Sequence, residues 1–269
     1  MIYSVKGGCL MKKTVSILLL LALSLTLACI PAMSENNVHT SSDVIVLDDF
    51  TVKTIDGADF TLSEALKDHE LVLINLWATW CPPCRAEFPF LQEAWSKSSD
   101  TVSVIALSVE PTDTEAALKD FAEEMGLSFP VASVGTTGLG RFVTEGIPTT
   151  VLVDRTGKVA AVEIGAMQST QEFLDLFESY TGDKYDPALC TYTVYAFDDH
   201  RMLPDVTVSF CTDTACTNII TNEDGVAVYR ASPAKYHLQL VDVPDDHQDT
   251  LASDIFTEPY SQTIYLYLP

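Results

Sequence analysis

The sequence predicts an α/β domain followed by a small all-β sandwich, and three observations predict it. Apolar runs of strand length alternate with helical patterns up to about residue 180. From Cys190 on, helix signals vanish, and short alternating strands with regular turns take over. Between the two regions, TGDKYDP at 181–187 has the composition of a linker.

Length and charge narrow the field. The chain has 269 residues, room for one large domain or two of ordinary size. Hydrophobic residues make up 47 %, enough to bury real cores. The formal net charge is −23, and the first 34 residues contribute three lysines and no acid. The remainder is therefore more acidic still. Such a surface excludes nucleic acid as a partner and leaves membrane contact to the N-terminal segment or a lipid anchor. Seven cysteines is a high count for a reduced compartment without metal motifs.

Residues 1–34 read as a signal peptide or other export segment. Lys12-Lys13 precede an apolar run from Val15 to Leu27, of signal-peptide length and short for a membrane span. Ala32-Met33-Ser34 offers small residues to a signal peptidase. Cys29 offers a rival lipidation site, although Thr26 stands where that motif usually has Leu. An uncleaved anchor is the third option. All three place the folded part outside the cytoplasmic membrane. Polar residues 35–42 read as a disordered linker.

The first domain is expected over 43–182. Phe50–Ile55 and Asp59–Thr61 flank Asp56-Gly57 and predict a hairpin. Ser63 reads as the cap of a short helix at 63–66. Leu71–Leu76 is a buried strand, followed by a helix from about Pro82 to Ser96 that Pro89 should kink. Thr101–Val109 is the next strand. Asp113–Met125 is an amphipathic helix that Gly126 ends. Phe129–Ser133 reads as a short strand and Leu139–Val143 as a brief helix. Thr149–Asp154 and Val159–Ile164 form a hairpin around Arg155-Thr156-Gly157. The helix at 169–180 closes the domain, with Phe173, Leu174, Leu176 and Phe177 inward.

After a linker at 183–189, the sandwich is expected over 190–269. Its strands fall at 191–197, 206–211, 226–230, 236–241 and 263–268. Val206, Val208 and Phe210 alternate with polar residues, as do Tyr236, Leu238 and Leu240.

The chemistry concentrates at Cys81 and Cys84, where the buried strand hands over to a helix. A cysteine at a helix start meets unpaired N–H groups and the positive end of the helix dipole, which favour the thiolate. The second cysteine, within the first turn, can close a small disulfide ring. Pro82 and Pro83 suit a helix start, which needs no N–H donor there. Half of a zinc site and an inert disulfide are the plainer readings of Cys-x-x-Cys. For zinc, no second Cys-x-x-Cys or His-x-x-x-His follows.

The flanking residues decide. WATWCPPCRAEFP resembles the active-site segment of the TlpA/ResA-like branch of the thioredoxin superfamily. GIPTT at 146–150, followed by VLVDRTGKV, resembles the family's cis-proline loop and the strand after it. The resemblance covers about 44–182. It implies a thioredoxin-like fold, with a central mixed sheet flanked by helices. It also implies that Cys81 attacks, that Cys84 resolves, and that Pro148 is a cis proline contacting substrate. Trp80 would shield the sulfur pair or serve as a core or rim aromatic. The family of thioredoxin proper has a buried Asp six residues before the first cysteine. Here that position is Asn75, which does not titrate. Glu87, one turn beyond Cys84, is the candidate to move the proton, with a solvated helix-face glutamate as the alternative.

The sandwich resembles prealbumin-like or Cna-B-like domains, which implies a fold and no catalytic residues. Cys211 and Cys216 frame TDTA and are candidates for a structural disulfide, with a second redox centre as the alternative. Cys190 has no obvious partner, and His237 and His247 stand alone. Together these readings describe an exported thiol–disulfide oxidoreductase acting on protein disulfides or dithiols. A reductase fed by a membrane thiol donor is expected, with the oxidative direction as the alternative that residue types leave open, and with no organic cofactor and no metal. The rival is a surface binding or adhesion protein whose sandwich carries the function. Stoichiometric reaction of one thiol with a disulfide substrate separates the two.

Overall fold

The structure is a computed structural model and describes residues 44–244 and 255–268. The expected export segment, the linker at 35–42, Cys29 and His247 lie outside the described residues.

The first hairpin is β1 (Thr51–Lys53) against β2 (Asp59–Thr61), turning at Gly57 with φ +84°. Helix α1 (Leu62–Asp68) follows. Ser63 is not its cap, as the sequence suggested. The N-cap is Thr61, whose side chain makes no capping bond. Asp49 does that work from outside the helix, accepting from Ser63 N at 2.9 Å and Ser63 Oγ at 2.7 Å. A cap supplied across fourteen residues of chain leaves no local signature.

The central sheet has five strands in the order β5-β4-β3-β6-β7. They are β3 (Leu71–Trp77), β4 (Val102–Ser108), β5 (Val131–Ser133), β6 (Thr149–Asp154) and β7 (Val159–Ile164). β3, β4 and β5 run parallel, while β6 and β7 run antiparallel to their neighbours. Every residue of β3 is buried, because both faces of the sheet are covered. On one face Leu71, Leu73 and Trp77 pack against α2 (Pro82–Ser98), α3 (Glu115–Met125) and α4 (Thr170–Ser179). On the other, Val72, Ile74 and Leu76 meet the hairpin and α1.

Helix α2 runs continuously through Pro89. Helix α3 starts on a side-chain cap from Thr114 and stops at Gly126 in the left-handed region. Ser169 caps α4, whose Phe173 and Phe177 are buried while Leu174 and Leu176 are half-buried. The brief helix before Pro148 is a 3-10 turn at Leu139–Phe142.

The C-terminal region is two sheets face to face. β11 (Val226–Ala231), β8 (Cys190–Phe197) and β14 (Gln262–Tyr267) form one. β10 (Cys216–Ile220), β9 (Thr207–Cys211), β12 (His237–Asp242) and β13 (Ile255–Phe256) form the other. Strand β8 alternates strictly, sending Cys190, Tyr192, Val194 and Ala196 inward to meet Val208, Phe210 and Leu238. β10 and β13 are strands that the sequence pattern missed. β10 is mostly exposed and β13 is two residues long, so neither shows a buried alternation.

The sandwich packs onto the first sheet. Ser261 bridges to Ala161, and Thr263 Oγ1 donates to Glu163 Oε2 at 3.2 Å. The segment read as a linker is tied to the first sheet as well. Tyr185 Oη donates to Asp154 Oδ2 at 2.9 Å, and Lys158 Nζ donates to Pro187 O.

Candidate functional site

Strand β3 ends at Trp77, and four residues later Cys81 is the N-cap of α2. The turn between them is held from the loop after β4. Asp113 accepts from Thr79 N at 3.0 Å and from Thr79 Oγ1, and also from Ser108 Oγ at 2.6 Å. Cys81 N–H donates back to Ala78 O at 3.1 Å. Behind the turn, Trp77, Phe88 and Phe121 pack ring against ring, with Trp77 4.9 Å from Phe88 and 4.4 Å from Phe121. This wedge fixes the first turn of α2 against β3. Asp113 was legible only as a helix start; its bonds cross 34 residues.

Cys81 and Cys84 are joined by a disulfide, with Cα atoms 5.3 Å apart. Cys84 N–H donates to Cys81 Sγ at 3.2 Å, in the manner of a capping side chain. Pro82 and Pro83 occupy the first helical positions, where no N–H partner is required. Both cysteines are deeply buried as whole residues, 1 % exposed for Cys81 and none for Cys84. The Ile147–Pro148 peptide bond is cis, and Ile147 O lies 3.7 Å from Cys81 Sγ. The two motifs of the sequence, 66 residues apart, therefore meet at one sulfur.

Trp80 is not a core residue. It is 62 % exposed, and its Nε1–H donates to Glu110 Oε2 at 2.9 Å. The buried aromatic of this motif is Trp77.

Glu87 is fully buried and is no solvated helix-face residue. Asn75 Nδ2 donates to its Oε1 at 2.8 Å, and Met167 N–H donates to its Oε2 at 3.1 Å. Burial pushes the carboxyl up to about 7, against the pull of those two donors. Asn75 Nδ2 also approaches Thr150 Oγ1 at 3.4 Å, whereas Asn75 Oδ1 has no partner among the described residues. Thr150 and Met167 were missed from sequence. Thr150 lies in the GIPTT motif, where no role was legible for it, and Met167 comes from the loop after β7, which carries no motif.

Cys211 and Cys216 are also bridged, with Cα atoms 4.0 Å apart and paired directly across the β9–β10 hairpin. Cys190 is a buried free thiol whose Sγ lies 3.7 Å from Pro259 O. Burial holds that thiol above its ordinary range. His237 stacks on Phe256 at 4.8 Å.

Comparison with known proteins bears on the same segment. Over 128 residues the chain is 37 % identical to the thiol-disulfide oxidoreductase ResA of Bacillus cereus, covering 47 % of this chain and 70 % of that protein. It is 30 % identical over 132 residues to the thioredoxin-like protein YneN of Bacillus subtilis, covering 48 % and 76 %. Among solved structures, StoA from Bacillus subtilis superposes with a TM-score of 0.42 at 25 % identity, over 48 % of this chain and 96 % of that one. Residues 44–178, which contain both motifs, match the Redoxin family model, and the chain belongs to that family, with thiol-disulfide oxidoreductase as its enzyme class.

Proposed function

We propose that the protein exchanges disulfides with protein substrates outside the cytoplasmic membrane, through Cys81 and Cys84, and runs as a reductase. The observation that supports Cys81 and Cys84 as the reacting pair is the meeting of three features at one sulfur. Cys81 Sγ takes an N–H bond from the helix start, is bridged to Cys84 and faces the Ile147 carbonyl.

In the reduced enzyme, the Cys81 thiolate attacks one sulfur of a substrate disulfide. That bond breaks, and a mixed disulfide forms at Cys81. Cys84 then gives up its proton and attacks Cys81 Sγ. The substrate leaves as a dithiol, and the enzyme keeps the Cys81–Cys84 disulfide. Glu87 is the base for the Cys84 proton, since a carboxyl near 7 can hold or release a proton at working pH. A membrane thiol donor returns the two electrons. The chemistry needs no metal and no organic cofactor. The Cys211–Cys216 bridge is a staple of its hairpin. Cys29 or the export segment keeps the protein at the membrane or releases it.

A trapping experiment tests the assignment. Cys84→Ser should accumulate a mixed disulfide with a model protein substrate, mapped to Cys81. Failure of any adduct at Cys81 removes the assignment.

A further inference from the structure

A cleft of about 980 Å3 runs between β7–α4 and the outer face of β8, β11 and β14. That size is at the upper end of ligand sites. Part of its lining is the segment Gly165–Met167. The same segment bonds two groups of the redox centre. Gly165 N–H donates to Pro148 O at 2.9 Å, and Met167 N–H donates to Glu87 Oε2. Cleft and disulfide thus share one stretch of backbone.

The cleft also borders a sheet edge. β7 is the last strand of its sheet. Its outer side is bonded at Val159, whose N–H donates to Ile45 O, and at Ala160 and Val162, which bond Ser261. Among the described residues, the open stretch of this edge is therefore its end at Glu163 and Ile164. Beyond Ser261 the chain continues as β14 in a separate sheet. Glu163 and Ile164, the last residues of β7, line the cleft. A free edge beside a groove is a template for an added strand. Ile164, Val228 and Tyr265 supply apolar side chains there, 41 %, 55 % and 64 % exposed. The lining carries five acids, Glu163, Glu172, Asp175, Glu178 and Asp186, against two bases, Lys184 and Arg230. Glu178 is paired with Lys184 at 3.2 Å, so Asp175 and Glu178 on α4 belong to a wall with an excess of acid.

We propose that this cleft binds an extended, positively charged segment of the protein substrate, next to its reactive disulfide, as an added strand on β7. The inference rests on the reading of Cys81 and Cys84 as the reacting pair. Backbone bonds to the β7 edge give affinity, the apolar wall takes alternate side chains, and α4 selects positive charge. The sandwich then acts as one wall of a substrate site, choosing the substrate without entering the chemistry.

Binding is read first, apart from chemistry. A peptide with an arm of alternating Lys and Val, its two cysteines replaced by serine, is titrated onto the full-length protein beside a Glu-for-Lys version. The lysine arm should bind about tenfold more tightly. Asp175→Asn with Glu178→Gln should remove most of that preference, and so should N-methylation of alternate arm residues. Glu223→Gln with Asp224→Asn makes the same charge change on an exposed turn outside the cleft lining and should keep it. Equal binding of the two arms overturns the proposal. So does a preference that survives the α4 changes or N-methylation, or one lost equally at Glu223 and Asp224, since diffuse attraction to an acidic surface then suffices. Restoring the cysteines reads the chemistry. An arm that binds as expected while its disulfide goes unreacted sinks the redox assignment and leaves the cleft standing.

Discussion

The Asn75 amide donates to the Glu87 carboxylate at 2.8 Å, and both side chains are fully buried. The residue that cannot titrate thus holds the one that can. An ionised Glu87 takes the Asn75 N–H. A protonated Glu87 can instead donate to Asn75 Oδ1, which has no partner among the described residues, once the amide rotates. One amide therefore serves both proton states. Asn75→Asp would replace it with a second carboxylate. Like charge at hydrogen-bond distance raises a carboxyl pKa, so the pH midpoint for release of the mixed disulfide should move up. Stopped-flow rates across a pH range of roughly 5–9, bracketing the raised carboxyl, check this. An unmoved midpoint would mean that the two groups are not coupled in the reaction.

Glu87→Gln removes the proton site and keeps the size. The Asn75 bond survives, because a glutamine oxygen still accepts from Nδ2. Formation of the mixed disulfide at Cys81 should be little changed. Its resolution by Cys84 should slow by roughly 10²-fold, the lower range for losing a general base. The pH dependence of that step around 7 should flatten. Rapid quench with mass analysis separates the two steps. Equal slowing of both would point to a structural effect.

Stability should show the same carboxyl. Burial raises Glu87 from 4.5 to about 7 in the folded protein. The folded state therefore binds a proton that the unfolded state has already lost between those values. The stabilising contribution is complete below about pH 4.5 and is lost as pH rises through 7. Glu87→Gln does not pay this ionisation cost. Relative to wild type, its unfolding free energy should rise between about pH 4.5 and about pH 8 by on the order of 3 kcal/mol. Glu163 is raised to about 7 by burial too, so only the difference between variant and wild type isolates Glu87. Denaturant titrations at several pH values give that difference, and a flat one rules out a buried ionisation at Glu87.

Much of this was legible in the sequence because its signals are local. β3 is a continuous apolar run, α2 opens on two prolines, and Gly126 closes α3. Those features set the strand–helix junction where the cysteines sit. What stayed hidden crosses the chain. Asp49 caps α1 from another segment, Asp113 holds Thr79, and Met167 bonds Glu87 across 80 residues. The exposure of Trp80 was equally unreadable, since two tryptophans three residues apart share one composition and differ only in which way the strand end turns. β10 hid for a different reason: a strand with a mostly exposed surface has no hydrophobic alternation to display.

The last prediction separates the two disulfides. Cys81–Cys84 sits at a helix start, with an N–H bond from Cys84 to Cys81 Sγ at 3.2 Å. Cys211–Cys216 closes a hairpin whose strands offer only a small dipole, with Asp213 in the loop between. The first environment favours a thiolate, and the second does not. Cys81→Ser should abolish reduction of a model protein disulfide. Replacing Cys211 and Cys216 together with serine should leave that rate within about twofold. It should lower the stability of the sandwich by about 2 kcal/mol, because a native bridge contributes roughly 2–4 kcal/mol and a short loop falls at the low end. Insulin-reduction rates and denaturant unfolding of the full chain read the two effects separately. Loss of most turnover in the double variant would make the hairpin pair a second redox relay, and the staple reading would have to be given up.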